Sequence, residues 1–352
     1  MEAPLENDLW LGENVMSAER FSDYLETLAN RMQAREPETF KEFARLFGPA
    51  FRDWFLRQGI VGDEAESLSV RSIGDAAAKL TTGPAREASQ VEDALVETLH
   101  STLAARLIYL QAIRADLDSA AILQAQLLRV DPPLISGLDI AVRFRAARVI
   151  TGDLVDLVDW SDDSTLLVLG DASGKGAAAA LYSALLLGCL RAKARRDMPL
   201  PELMTALNDL LSETGVVSRY VTLIAALWDK KERRMRFSCA GAVSPVLLRG
   251  GEAAFLKMEG FPLGMYHGKE YELESIEIQH GETVVLLSDG VTDQEGSTSE
   301  IYGEQRLLEL VAQSSSWSSA ELADRLLGDV EAFAQGTPAS DDQTVVVIRR
   351  KE

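Results

Sequence analysis

Residues 87 to 129 contain neither glycine nor proline, and the run ends in "RVDPPLISG", where Pro132 and Pro133 stand side by side. A stretch of that length without a backbone breaker reads as one long helix. Consecutive prolines cannot continue it, because each lacks an amide hydrogen and crowds the preceding turn. Along the run, Leu99, Leu103, Leu107, Leu110, Ile113, Leu117 and Ala121 step by four or three. The seam is narrow, as in a coiled coil or a signalling helix, and a helix packed on its own domain has the same spacing. The prolines therefore separate a helical part of the chain from whatever follows.

Residues 1–86 read as an all-helical domain. "ETFKEFARLFGPAFRDWFLRQG" sets Phe40, Phe43, Phe47, Phe51, Trp54 and Phe55 at intervals of mostly three and four residues. That spacing predicts one buried helical face, bent at Gly48-Pro49. "SAERFSDYLETLANRMQ" opens on Ser17 as a cap and carries Phe21, Leu25 and Leu28 at helical spacing. "TTGP", Thr81 to Pro84, breaks the pattern. Residues 87–130 then form the linker helix, and 131–352 the second domain.

From Leu138 the period changes. "LDIAVRFRAA", "STLLVLGD", "YVTLIAALWD", "RMRFSCAG", "PVLLRG", "ETVVLLSDG" and "QTVVVIRR" are β-branched or alternating runs between turn signals. Helical patterns interrupt them: "AAAALYSALLLGCLRAKARR", "PLPELMTALNDLLSET", "EQRLLELVAQ" and "SSAELADRLLGDVEAFA". Strands in blocks with helices inserted predict an α+β sandwich, sheets inside and helices outside.

A formal net charge of −20 opposes binding to nucleic acid or anionic lipid. The two cysteines, Cys189 and Cys239, sit in apolar contexts and make no disulfide framework or cysteine zinc site. The three histidines, His100, His267 and His280, are far apart in sequence, which disfavours a His-rich metal site or a Ser-His-Asp triad. No basic-plus-apolar leader or membrane-length apolar run is visible, so the expected setting is cytoplasmic.

The stretch "LLVLGDASGKGAAAA" looks at first like a phosphate-binding P-loop. That loop needs four residues between its first glycine and the Gly-Lys pair, and a Ser or Thr after the lysine. Here Gly170 and Gly174 enclose only three, and Gly176 follows Lys175. Asp171 opens the turn instead, and a carboxylate there repels phosphate unless a cation lies between. Similar acids recur in "TGDLVD" (Asp153, Asp156), "LLSDGVTD" (Asp289, Asp293) and "SDDQTVVVI" (Asp341, Asp342). Each alone reads as a turn residue. Converging at one end of a sandwich, they would form a hard-oxygen site suited to Mg²⁺ or Mn²⁺.

The set "ILQAQLLR", "GLDIAVRFRAARVITGDLVD", "LVLGDASGKGAAAALYSALL", "FSCAGAVSPVLL", "GETVVLLSDGVTD", "YGEQRLLELV" and "SDDQTVVVIRR" resembles the metal-dependent serine/threonine phosphatases of the PPM (PP2C-like) class. It is most similar to their bacterial stress-response and sporulation branch. The resemblance implies an αββα sandwich with a site for two or more Mn²⁺ or Mg²⁺ ions between the sheets. Asp171 matches the acid that bridges both metals, and Ala172 matches a backbone carbonyl ligand. Asp289 and Asp341 match acids on the second metal. Asp153 matches an acid touching the metals directly or through water, and Asp156 and Asp342 rank below these. The implied reaction is attack of metal-activated water on phosphoserine or phosphothreonine, with a phosphorylated STAS-type anti-anti-sigma protein as substrate. The sequence departs from the family where "AGAVSP" puts Ala242 in place of a histidine, and where "TGDLVD" replaces "GGDFYD".

Residues 39–80 resemble region 2 of extracytoplasmic-function sigma factors, through the aromatic helix and the acidic "GDEAESL". Three readings stay open: a helical dimerisation or sensor domain, a decoy for a sigma-binding partner, or a pattern shared by aromatic-rich bundles. The expected organisation is a homodimer through this domain and the linker helix, switched by an activating protein partner. The competing reading is a non-catalytic scaffold on the phosphatase fold.

Overall fold

The computed structural model describes residues 18–36, 38–82, 87–128, 132, 134–194, 198–216 and 218–351. The chain divides into two units, Met1–Ala115 and Asp116–Glu352.

In the first unit, α1 (Ala18–Gln33), α2 (Thr39–Arg57) and α3 (Gly62–Thr81) pack with the first turns of α4 (Ala88–Leu127). The cap expected at Ser17 lies outside the described residues. Phe43, Phe47, Phe51 and Phe55 recur every fourth residue on α2 and are all buried. The first two rings stand 4.9 Å apart. Phe40, in the first turn, is 52% exposed and outside this core. Helix α2 runs through Pro49 as one element rather than ending there. On α4, Val91, Ala94, Leu95, Thr98 and Leu99 are buried, whereas Leu107, Leu110 and Ile113 are exposed. The seam thus has two parts: the first packs on its own bundle, and the second is uncovered.

In the second unit two five-stranded antiparallel sheets face each other. One runs β1 (Leu138–Arg145), β10 (Gln343–Arg350), β9 (Thr283–Leu287), β6 (Val246–Arg249), β7 (Glu252–Phe255). The other runs β2 (Asp153–Ser161), β3 (Ser164–Ala172), β4 (Val221–Asp229), β5 (Arg234–Ala240), β8 (Glu274–Glu277). The strand period of two divides their side chains. Leu167 and Leu169 of β3 meet Val284, Leu286 and Val346 between the sheets. Leu166 and Val168 turn outward, under α5 (Ala177–Lys193) and α6 (Leu200–Glu213). On the other side, Val285, Leu287, Val345 and Val347 pack against α8 (Gly303–Ala312) and α9 (Ser319–Ala334). Burial on both faces is why these strands read as continuous apolar runs. The result is the expected αββα sandwich. Three strands were not expected from the sequence: β2, β7 and β8.

Candidate metal centre

The register of the β2–β3 hairpin sets Asp153 directly opposite Asp171. Two carboxylates in that position repel each other unless one is protonated or a cation intervenes. In the facing sheet, β9 ends at Leu287, paired with Val345 of β10. The four-residue helix α7 (Asp289–Thr292) follows β9, and Asp341 and Asp342 precede β10. Hydrogen bonds tie the two acid-bearing ends together. Thr344 Oγ1 donates to Asp153 Oδ2 at 2.5 Å. Thr151 Oγ1 and the Gly152 amide donate to Asp342 Oδ2 at 2.7 and 2.8 Å, and the Ala147 amide donates to Oδ1 at 2.8 Å.

Close backbone approach makes this possible. A Cβ on Gly290 would stand 2.1 Å from the Asp342 carbonyl oxygen, so only glycine fits there. A Cβ on Gly152 would lie 3.0 Å from both Asp171 Oδ1 and the Ala172 carbonyl oxygen. Gly174, at φ +93°, leaves room for Arg219, whose Nη1 donates to the Ser173 carbonyl at 2.5 Å.

The electrostatics follow from burial and crowding. Burial, then the neighbouring Asp171, holds Asp153 well above the usual carboxylate range. Burial and then the charges of Asp289, Asp341 and Asp342 push Asp171 up to about 7. Burial, Asp293 and Asp341 raise Asp289. Asp153 Oδ1 is buried without a hydrogen-bond partner. An orphaned carboxylate oxygen among mutually repelling acids is the donor set a hard divalent cation takes. The side chains are not fully drawn together: among the described residues, no three or more His, Cys, Asp or Glu side chains are grouped closely enough to hold an ion.

The two lower-ranked acids do other work. Asp156 lies on the opposite face of β2 from Asp153, as an odd separation along a strand dictates. It is buried and accepts from Arg191 of α5 at 2.7 and 3.1 Å. Asp342 holds the loop before β2, as described above. Sequence reasoning missed Thr151, Ser288, Thr344 and Gln124. Ser288 Oγ donates to the Asp342 carbonyl and accepts from the Thr344 amide at 2.9 Å. Gln124, near the end of α4, exchanges two hydrogen bonds with the Thr151 backbone. The available signal was a polar side chain beside each acid, which is too common to single out.

A cavity of about 190 Å³ opens beside Asp171 and Asp289, walled by Gly170, Thr222, Gly241 and Ala242. The position where the family pattern has histidine therefore faces this site. Cys189 and Cys239 are both free thiols.

Two facing antiparallel sheets, helices on both outer faces and acids clustered at one end define the PP2C class of phosphatase domains. The PP2C domain of SiaA from Pseudomonas aeruginosa superposes with a TM-score of 0.62 at 19% identity, covering 68% of this chain and 98% of that one. Residues 161–351 match the Stage II sporulation protein E (SpoIIE) family, and the chain belongs to that family. Among curated relatives, Protein IcfG of Synechocystis is 26% identical over 67% of this chain, which spans 42% of IcfG. Phosphoserine phosphatase RsbU of Bacillus subtilis is 25% identical over 68% of this chain and 72% of RsbU. Among the described residues no helix is long and apolar enough to cross a membrane.

Proposed function

We propose that the chain is a Mn²⁺- or Mg²⁺-dependent protein serine/threonine phosphatase. Its substrate would be a phosphorylated STAS-type protein in a cytoplasmic partner-switching pathway. The observation that carries this reading is the cross-strand pair of buried Asp153 and half-buried Asp171, crowded by Asp289 and Asp341. Asp153, Asp171, Asp289, Asp341 and the Ala172 carbonyl would hold the ions. What bound ions supply is an acidified water and neutralisation of charge on the transferring phosphoryl group. The chain's own residues fix the geometry: Thr344 orients Asp153, and Asp342 anchors Thr151 and Gly152 beside it. Kinship with a phosphoserine phosphatase supports the reaction class.

Regulation through the helical domain and linker is supported by Gln124, which joins the end of α4 to Thr151. The uncovered Leu107, Leu110 and Ile113 stripe supports a homodimer built along α4. A sensor or a sigma-mimicking decoy remains the role offered for residues 1–86.

The test is to incubate candidate phosphorylated STAS proteins with the full chain in Mn²⁺ and in EDTA. Phosphate release with Mn²⁺ alone, abolished in Asp171→Asn and Asp289→Asn variants that still fold, is the expected result. Hydrolysis that survives both substitutions removes the site assignment, and no hydrolysis of any phosphoprotein favours the scaffold reading.

A further inference from the structure

Sequence spacing assigns nothing to Lys175, since the loop that holds it is not a P-loop. The fold gives it a partner. From the loop after β3, Lys175 reaches the segment before β10, where its ammonium donates to the Ser340 carbonyl. The same ammonium stands 3.4 Å from Asp341 Oδ2, while Asp341 Oδ1 accepts from the Asp342 amide at 3.0 Å. One oxygen of this candidate ligand is thus engaged by backbone and the other faces a positive charge.

We propose that Lys175 is a tethered counter-ion of the metal centre: its ammonium neutralises Asp341 and has to leave Oδ2 before that oxygen can face a divalent cation. This rests on the metal-centre reading above, though not on phosphatase activity.

Several features suit the role. An ammonium on a four-carbon stem is a compact charge that swings without disturbing the backbone. The pair is partly solvent-exposed, at 42% for Lys175 and 35% for Asp341, so it is weak enough to be displaced. The lysine is held in the same turn as Asp171, between Gly174 and Gly176, both at positive φ. Displacing a partly exposed ion pair of this kind lowers apparent metal affinity by a few-fold. The alternative is a clamp, in which Lys175 holds Asp341 ready for the ion. It predicts the opposite sign.

The experiment measures Mn²⁺ binding to the full chain by the electron paramagnetic resonance signal of free Mn²⁺. The proteins are the wild type, Lys175→Met, Lys175→Arg, Asp341→Asn and the Lys175→Met/Asp341→Asn double variant. The expected result is that Lys175→Met tightens binding a few-fold while Lys175→Arg stays near wild type. In the Asp341→Asn background, Lys175→Met should then have no effect. Weaker binding by Lys175→Met establishes the clamp and overturns the proposal. Unchanged binding, or a tightening that persists without the Asp341 carboxylate, overturns it as well. If no variant binds Mn²⁺, the metal centre itself falls. If Mn²⁺ binds but ignores Lys175, only the counter-ion role falls.

Discussion

Gln124 and Thr151 exchange a matched pair of hydrogen bonds. Gln124 Nε2 donates to the Thr151 carbonyl at 2.8 Å, and the Thr151 amide donates back to Gln124 Oε1 at 3.0 Å. Thr151 in turn donates through Oγ1 to Asp342 and accepts there from the Asp153 amide. A helical side chain is thereby two hydrogen-bond steps from a candidate metal ligand. Replacing Gln124 with Leu strips Thr151, which is buried, of both backbone partners. Each orphaned group costs about 1–3 kcal/mol. The melting temperature of the catalytic unit should fall by several degrees, and Mn²⁺-dependent hydrolysis should fall with it. A variant with wild-type melting and activity would show that this link carries no load.

Asp342→Asn tests the anchor beneath the site. The carboxylate accepts from Ala147 at Oδ1 and from Thr151 and Gly152 at Oδ2, and an amide nitrogen in place of either oxygen forfeits the bonds made there. Denaturant unfolding should report a loss of about 2–4 kcal/mol, since hydrogen bonds to charged groups are the stronger kind. The metal affinity should weaken as well, because Asp153 follows directly after Gly152.

Gly290→Ala brings a methyl group to 2.1 Å from the Asp342 carbonyl oxygen, which is backbone and cannot swing aside. The α7 turn must shift, and Asp289 moves with it. The variant should lose activity by a hundredfold or more, whereas Gly188→Ala, on α5 with nothing near its Cβ, should behave as wild type. Equal activity of the two variants would refute the close-approach argument.

The metal-free protein should become less stable as pH rises. Asp171 titrates near 7 in the fold, against about 3.9 in an unfolded chain. Between those values the folded state binds the extra proton, so unfolding free energy declines from about pH 4 to about pH 7 and then levels. Asp153 and Asp289 are shifted in the same direction. Thermal melts in EDTA should trace this decline, Asp171→Asn should flatten it, and Mn²⁺ should lift stability most at the upper end. A melt in EDTA that rises with pH through this window would contradict the crowding of the acids.

The central strands were legible in the sequence because they are buried on both faces and carry unbroken β-branched runs. Strand β2 was hidden by Asp153, Asp156 and Asp159, which break the apolar pattern. Its burial becomes intelligible only once Arg191, far along the chain, is seen to neutralise Asp156. Strands β7 and β8 have four residues each, too few for a period to show. The acids of the site were legible because each stands in a turn at a strand end, but their meeting depends on sheet order. Period alone could also not tell which part of the α4 seam is covered, because the same spacing serves a bundle and a dimer.

The pairing of Asp153 with Asp171 has a consequence for how the chain tolerates change. Their register is fixed at the other end of the hairpin, by the turn after Ser161 and the irregularity between Asp159 and Ser161. That turn lies roughly 26 Å away along β3, at about 3.3 Å per residue. One residue gained or lost there slides β2 past β3, turns its side chains to the wrong faces and parts the two acids. The length of a surface turn thus acts as the spacer that calibrates the distant pair.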